Sequence, residues 1–233
     1  MESPVMSADL PDWTRRAFSA PRMRPYLEAA GNDGREAVAL YWWNVEISAA
    51  FYGPLHCLEI VLRNALHGQL AARYGRSDWW AAAPLTEHGV RLVEEAADKC
   101  RRRLGRRGRS GPTADDVVAE LSFGFWVSLL SNRTGSQYDR LLWVPTLHQA
   151  FRPRSGSRAV LHESLETMRL LRNRIMHHEP IHHRDLAADH RRLYQLLNAI
   201  DGVVAKEIRV MDRVPFVLAR RDAVRSRQAQ PWF

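Results

Sequence analysis

Lysine is almost missing from this chain. Of its 34 basic residues only Lys99 and Lys206 are lysines, so the positive charge rests on arginine. Cysteine is scarce as well. Cys57 and Cys100 are too few for a disulfide framework and lack the paired spacing of a zinc site, which fits a reducing, cytoplasmic location. No stretch of useful length alternates apolar and polar residues with period two, so no strand is predicted and the fold should be all-α. No apolar run approaches the roughly 20 residues of a membrane helix. The opening MESPVMSADLPDW is largely polar with two prolines, unlike a basic-then-apolar targeting segment. No membrane partner is expected.

Positive charge and aromatic bulk are what the chain does have. Its 34 basic residues face 26 acidic ones, for a net charge of +8, and the excess is clustered. Such a balance points to a polyanionic partner, nucleic acid first, with arginine-rich codon usage as the plain alternative. Apolar residues make up 45%, enough for a sizeable core, and the eight tryptophans read as core or interface anchors.

Read along the chain, residues 1–10 form a loose arm and 11–212 a single all-helical domain. Asp12 is a candidate cap for the first short helix. From Arg35 to Tyr74 the pattern is strongly helical, with a kink or break predicted at Gly53-Pro54. Beyond it, Leu55, Leu58, Leu62, Ala65, Leu66 and Leu70 form a core-facing stripe. Thr86 can cap the next helix. Residues 101–114 read as a flexible basic loop with six arginines: Arg101, Arg102, Arg103, Arg106, Arg107 and Arg109. One helix is predicted to open at Thr113 and run through SFGFWVSLLS. Others follow over 157–178 and 185–210, and 213–233 reads as a polar basic tail.

The densest ionisable stretch is RNRIMHHEPIHHRD, residues 172–185, with four of the ten histidines. A metal site, an acid/base site, an anion site and a solvated helix end are all conceivable. Adjacent histidines beside a proline converge poorly on one metal, and no HExxH spacing accompanies them, so no metal or other cofactor is expected. His182 and His183, past the proline, read as surface residues.

LRNRIMHHE at 171–179 resembles the Abi-like (abortive infection, AbiD/AbiF-type) proteins of the HEPN superfamily, whose mark is arginine, a polar residue, and a histidine about five positions on. YWWNVEISAAFYGPLHCLEIVLRNALH at 41–67 and ELSFGFWVSLL at 120–130 look like the same family. The resemblance implies a HEPN-like helical bundle with additional helices, usually dimeric, and metal-independent ribonuclease activity in many members. It also implies a role in phage defence or as a toxin. Non-catalytic members that bind RNA or protein are the alternative it leaves open.

The residue types suit RNA cleavage. A 2′-OH must lose a proton, the leaving 5′-oxygen must gain one, and the phosphorane needs a fixed cation. His177 is the candidate acid or base and Arg172 the candidate cation. Asn173, His178 and Glu179 are candidate supports. Arg174 reads as an ion-pair or RNA-contact residue, and the loop arginines, Arg63 and His67 are weaker candidates for RNA contact. LRNALH at 62–67 echoes the later motif one residue short, and a structural or pocket-lining role is expected for it. One such histidine per chain is short of an acid/base pair, so a homodimer with both motifs facing one cleft is expected. The expected partners are RNA and, for a toxin or defence effector, an antitoxin or a phage-derived trigger.

Overall fold

The structure, a computed structural model, describes residues 10–105, 111–131, 137–153 and 155–232. Among them the protein is all-α, with no strand. The helices are α1 (Asp12–Phe18), α2 (Ala20–Ala29), α3 (Gly34–Tyr74), α4 (Glu87–Gly105), α5 (Ala114–Glu120), α6 (Phe123–Ser128), α7 (Arg158–Met176), α8 (Leu186–Ile200), α9 (Gly202–Val210), α10 (Val214–Ala219) and α11 (Arg221–Arg225). A π-helical turn covers Asp139–Trp143, and 3-10 turns cover Trp79–Ala81 and Leu147–Ala150.

The chain divides into two compact units. The first comprises Met1–Leu55, Leu171–Arg191 and Arg209–Phe233, and the second His56–Leu170 and Arg192–Ile208.

The first unit is built on the N-terminal part of α3. Leu40, Trp43, Ile47 and Phe51 recur at spacings of three and four and are fully buried. Trp43 donates its indole N–H to the carbonyl of Val217 on α10, 3.0 Å away. Tyr26, Tyr41 and Trp42 pack edge to face, with ring centroids 5.0–5.2 Å apart. Residues expected to form a polar tail instead fold as α10 and α11. Val214, Val217 and Val224 supply their buried face, while Arg220 pairs with the buried Glu46 at 3.1 Å and Arg225 with Glu36. The apolar residues are spaced within a run of charges, which hides the helix from a reading by composition.

In the second unit Leu58, Leu62, Leu66 and Leu70 continue the buried stripe of α3. Trp79, Phe125 and Trp126 form an aromatic cluster with centroids 5.2–6.4 Å apart. Tyr138 Oη accepts the amide of Thr86 at 2.9 Å, and Thr146 Oγ1 donates to the carbonyl of Gln69.

Several expected boundaries move, for local reasons. α3 runs unbroken through Pro54. An interior proline costs about 3 kcal/mol. Gly53, just before the proline, has no Cβ to meet the proline ring. Burying Phe51, Leu55 and Leu58 contributes about 1.5–3 kcal/mol each, which outweighs the penalty. The expectation that no apolar run suits a membrane also needs correction. α3 is long and apolar enough to cross one, with mean hydropathy 1.3 over 18 residues. Its apolar stripe is covered by the protein itself: from Leu40 to Leu70 the stripe's large side chains are at most 2% exposed, and Ala65 is half-buried.

Asp12 is the first residue inside α1 and its side chain makes no cap; Thr86, by contrast, accepts the amide of Gly89 at 3.2 Å as a cap should. The helix opened by Thr113 ends at Glu120 because Ser122 caps a new one, accepting the amide of Phe125 at 3.2 Å. Thr113 and Asp116 form a reciprocal capping box. The predicted helix 185–210 is two, α8 and α9. Asp201 Oδ1 accepts the amides of Val203 and Val204 at 2.8 and 3.1 Å, so the chain restarts there.

Candidate functional site

α7 presents Leu161, Leu165, Met168, Leu171 and Ile175 to the core. It stops at Met176 in a Schellman motif. The amide of His178 bonds the carbonyl of Ile175 at 3.0 Å, and the amide of Glu179 bonds that of Arg174 at 2.8 Å. His178 occupies the left-handed position, φ +58°, where glycine is usual. Pro180 follows and forbids continuation. The predicted end at His178 thus falls two residues late.

This stop sets the candidate residues out in space. His177 still bonds the carbonyl of Asn173 at 2.9 Å and carries its imidazole into solvent beside His178 and Glu179, all exposed. Asn173 lies one turn back on the same strip and is half-buried. Arg172, also half-buried, is five residues before His177. That places it about 140° round the helix and about 7.5 Å along it, a gap its long stem must bridge. Arg174 is occupied with the stop itself. Its Nε lies 3.5 Å from Glu179 Oε2, and its guanidinium donates to the carbonyl of Pro180 at 3.3–3.4 Å. Glu179 is thus engaged by Arg174.

The segment after the stop is fixed from within the same unit. Asn44, buried at 5% exposure on α3, accepts the amides of Ile181 and His182 through one oxygen, at 2.8 and 3.0 Å. Arg221 donates to the carbonyl of His182 at 3.0 Å and lies over the Trp43 ring. His182, expected at the surface, is buried against Tyr26, with centroids 4.9 Å apart. The two amides held by Asn44 pull the turn inward, while His183 remains exposed. Burial, reinforced by His183, Arg221 and Arg225, pushes the His182 pKa down to about 4, so the ring is neutral. Its Nε2 and Tyr26 Oη have no hydrogen-bond partner among the described residues.

The weaker candidates divide. Arg101, Arg102 and Arg103 belong to α4, not to a loop, and Arg102 and Arg103 sit in its last turn, where the helix dipole favours cations. Arg101 pairs with Asp98, and Arg103 with Glu120 at 2.9 Å. Arg106, Arg107 and Arg109 lie outside the described residues. Arg63 donates to its neighbour Asn64 at 3.2 Å. His67 accepts the indole N–H of the buried Trp79 at 3.1 Å, and burial holds its pKa below the usual value. An indole only donates, so His67 Nδ1 carries no proton.

Among the described residues no group of three histidine, cysteine or acidic side chains is arranged to hold a metal ion. Comparison with family models, with curated proteins and with solved structures finds no match to this chain. Sequence reasoning passed over Asn44 and Arg221. A polar amide inside the apolar run YWWNVEIS was the available signal for the first. The second lay in a segment taken for a tail.

Proposed function

We propose that this chain is a metal-independent endoribonuclease of the HEPN, Abi-like type, acting as a phage-defence or toxin effector. The observation that supports this reading best is the setting of His177. It stands in solvent at a braced helix end, one residue before a stop that Asn44 and Arg221 hold in place.

In this reading His177 takes the proton from the ribose 2′-OH or gives one to the leaving 5′-oxygen, and Arg172 stabilises the phosphorane. A two-fold dimer supplies the second imidazole, so that one acts as base and the other as acid. Asn173 steadies His177, while Arg101 and Arg102 meet RNA phosphates without reading bases. An antitoxin or phage-derived trigger would act by covering or exposing this helix end. The test is cleavage of RNA in EDTA by the folded protein. His177→Ala and Arg172→Ala should each abolish it, and unchanged cleavage by both removes the assigned site.

A second reading, a non-catalytic RNA- or protein-binding module, has one observation in its favour. Arg174, His178 and Glu179 already build the helix stop, so part of the motif has a structural use. Salt-sensitive RNA binding with no shortening of the RNA would select it.

A further inference from the structure

The second unit contains a cleft of about 560 Å³ walled by the start of α4, by α6 and by the Arg158–Leu170 part of α7. Its size falls within the range of small-molecule sites. None of its residues belongs to the histidine motif at the end of α7.

The chemistry of its walls is lopsided. His162, Glu166 and Arg169 follow one another at i, i+4 and i+7, on one strip of α7, and all line the cleft. Arg169 donates to both oxygens of Glu166, from Nε at 2.8 Å and from Nη2. That fork holds the guanidinium plane, engages the carboxylate, and leaves Arg169 Nη1 without a partner among the described residues. Ser122 Oγ accepts the amide of Phe125, so its hydroxyl hydrogen is still to be donated. The Arg169 stem lies against α6 at Gly124, its Cδ 3.5 Å from where a Cβ would sit. His88 of α4 and His162 add two imidazoles. Donors are therefore in surplus while the one carboxylate is occupied, the composition of an anion site. Several donors from three elements suit a tetrahedral oxyanion better than a planar one.

We propose that this cleft binds a small phosphomonoester, its phosphate held by Arg169, Ser122 and the imidazoles of His88 and His162, and its organic body lying over Leu92. The proposal is independent of the ribonuclease reading.

Isothermal calorimetry on the full chain with 5′-AMP, inorganic phosphate and adenosine tests it. AMP should bind, inorganic phosphate should compete with it, and adenosine should bind at least about tenfold more weakly. Arg169→Ala should weaken AMP at least about tenfold and His162→Gln several-fold, whereas Glu166→Gln should bind as tightly as the parent or tighter, having lost a negative charge. His177→Ala should bind as the parent does. Circular dichroism establishes that each variant is folded, and His162→Gln carries the test should Arg169→Ala be unstable. Failure of the folded parent to bind either phosphate probe at millimolar concentration would overturn the proposal. So would parent-like binding by both Arg169→Ala and His162→Gln, or loss of binding in Glu166→Gln, which marks a cation site instead.

Discussion

Two stretches of this chain spell almost the same letters. Arg63-Asn64-Ala65-Leu66-His67 lies inside α3, and Arg172-Asn173-Arg174-Ile175-Met176-His177 closes α7. In the first, the histidine is fixed as a hydrogen-bond acceptor for a buried tryptophan, and the arginine donates to its own neighbour. In the second, the helix has run out and the histidine faces water on a braced stop. The same residue types are a packing device in mid-helix and a candidate acid/base at a helix end. What separates them is the one-residue difference in spacing and the proline that follows the second.

Substitutions can break this comparison, and the largest effect is expected at the second stretch. His177→Ala should lower RNA cleavage by about 10²–10⁴-fold, while His67→Ala leaves the rate per folded molecule nearly unchanged. Gel assays in EDTA on both variants read this directly, and equal losses would erase the distinction.

The buried His182 should make the first unit acid-sensitive. Its folded pKa of about 4 lies below the usual histidine value near 6.5, so the unfolded chain binds the extra proton in between. The stability it contributes is full above about pH 6.5 and is lost as pH falls towards 4, by at most about 3 kcal/mol. Urea titrations at pH 7 and pH 4.5 should show that loss, and His182→Leu should flatten it.

Asn44→Ala leaves the amides of Ile181 and His182 buried without their acceptor, and should cost about 2 kcal/mol by chemical denaturation. Because it releases the segment behind His177, it should also slow cleavage, whereas a purely structural role leaves the rate per folded molecule untouched. His67→Ala, by stranding the indole N–H of Trp79, should cost about 1–2 kcal/mol in the same assay. The smallest change has the opposite sign. His178→Gly relieves a left-handed residue and should stabilise the protein by about 1 kcal/mol in a thermal melt.

Local signals explain how much of the fold was readable in advance. The α3 stripe, the caps at Thr86 and Thr113 and the stop before Pro180 all depend on neighbours within one turn, and the residues show them directly. The burial of His182 and the folding of 214–225 depend on side chains far away in sequence: Trp43, Asn44, Glu46 and Glu36. No local pattern encodes these. The restart at Asp201 was a cap placed where apolar spacing continued without a gap, so periodicity masked it. At the candidate site, the exposed His177 was legible from its place in the last turn. The lock that Arg174 and Glu179 make together was not, because Arg174 reads as an ion-pair or RNA-contact residue with no partner named and Glu179 as a support for His177.

The most direct test of the central claim is the chemistry of the RNA ends. Incubated with folded protein in EDTA, RNA should be cut to fragments ending in 2′,3′-cyclic phosphate, and those fragments should vanish with His177→Ala or with 2′-deoxy substitution at the cut site. Intact RNA after prolonged incubation, or the same ends produced undiminished by His177→Ala, would contradict it.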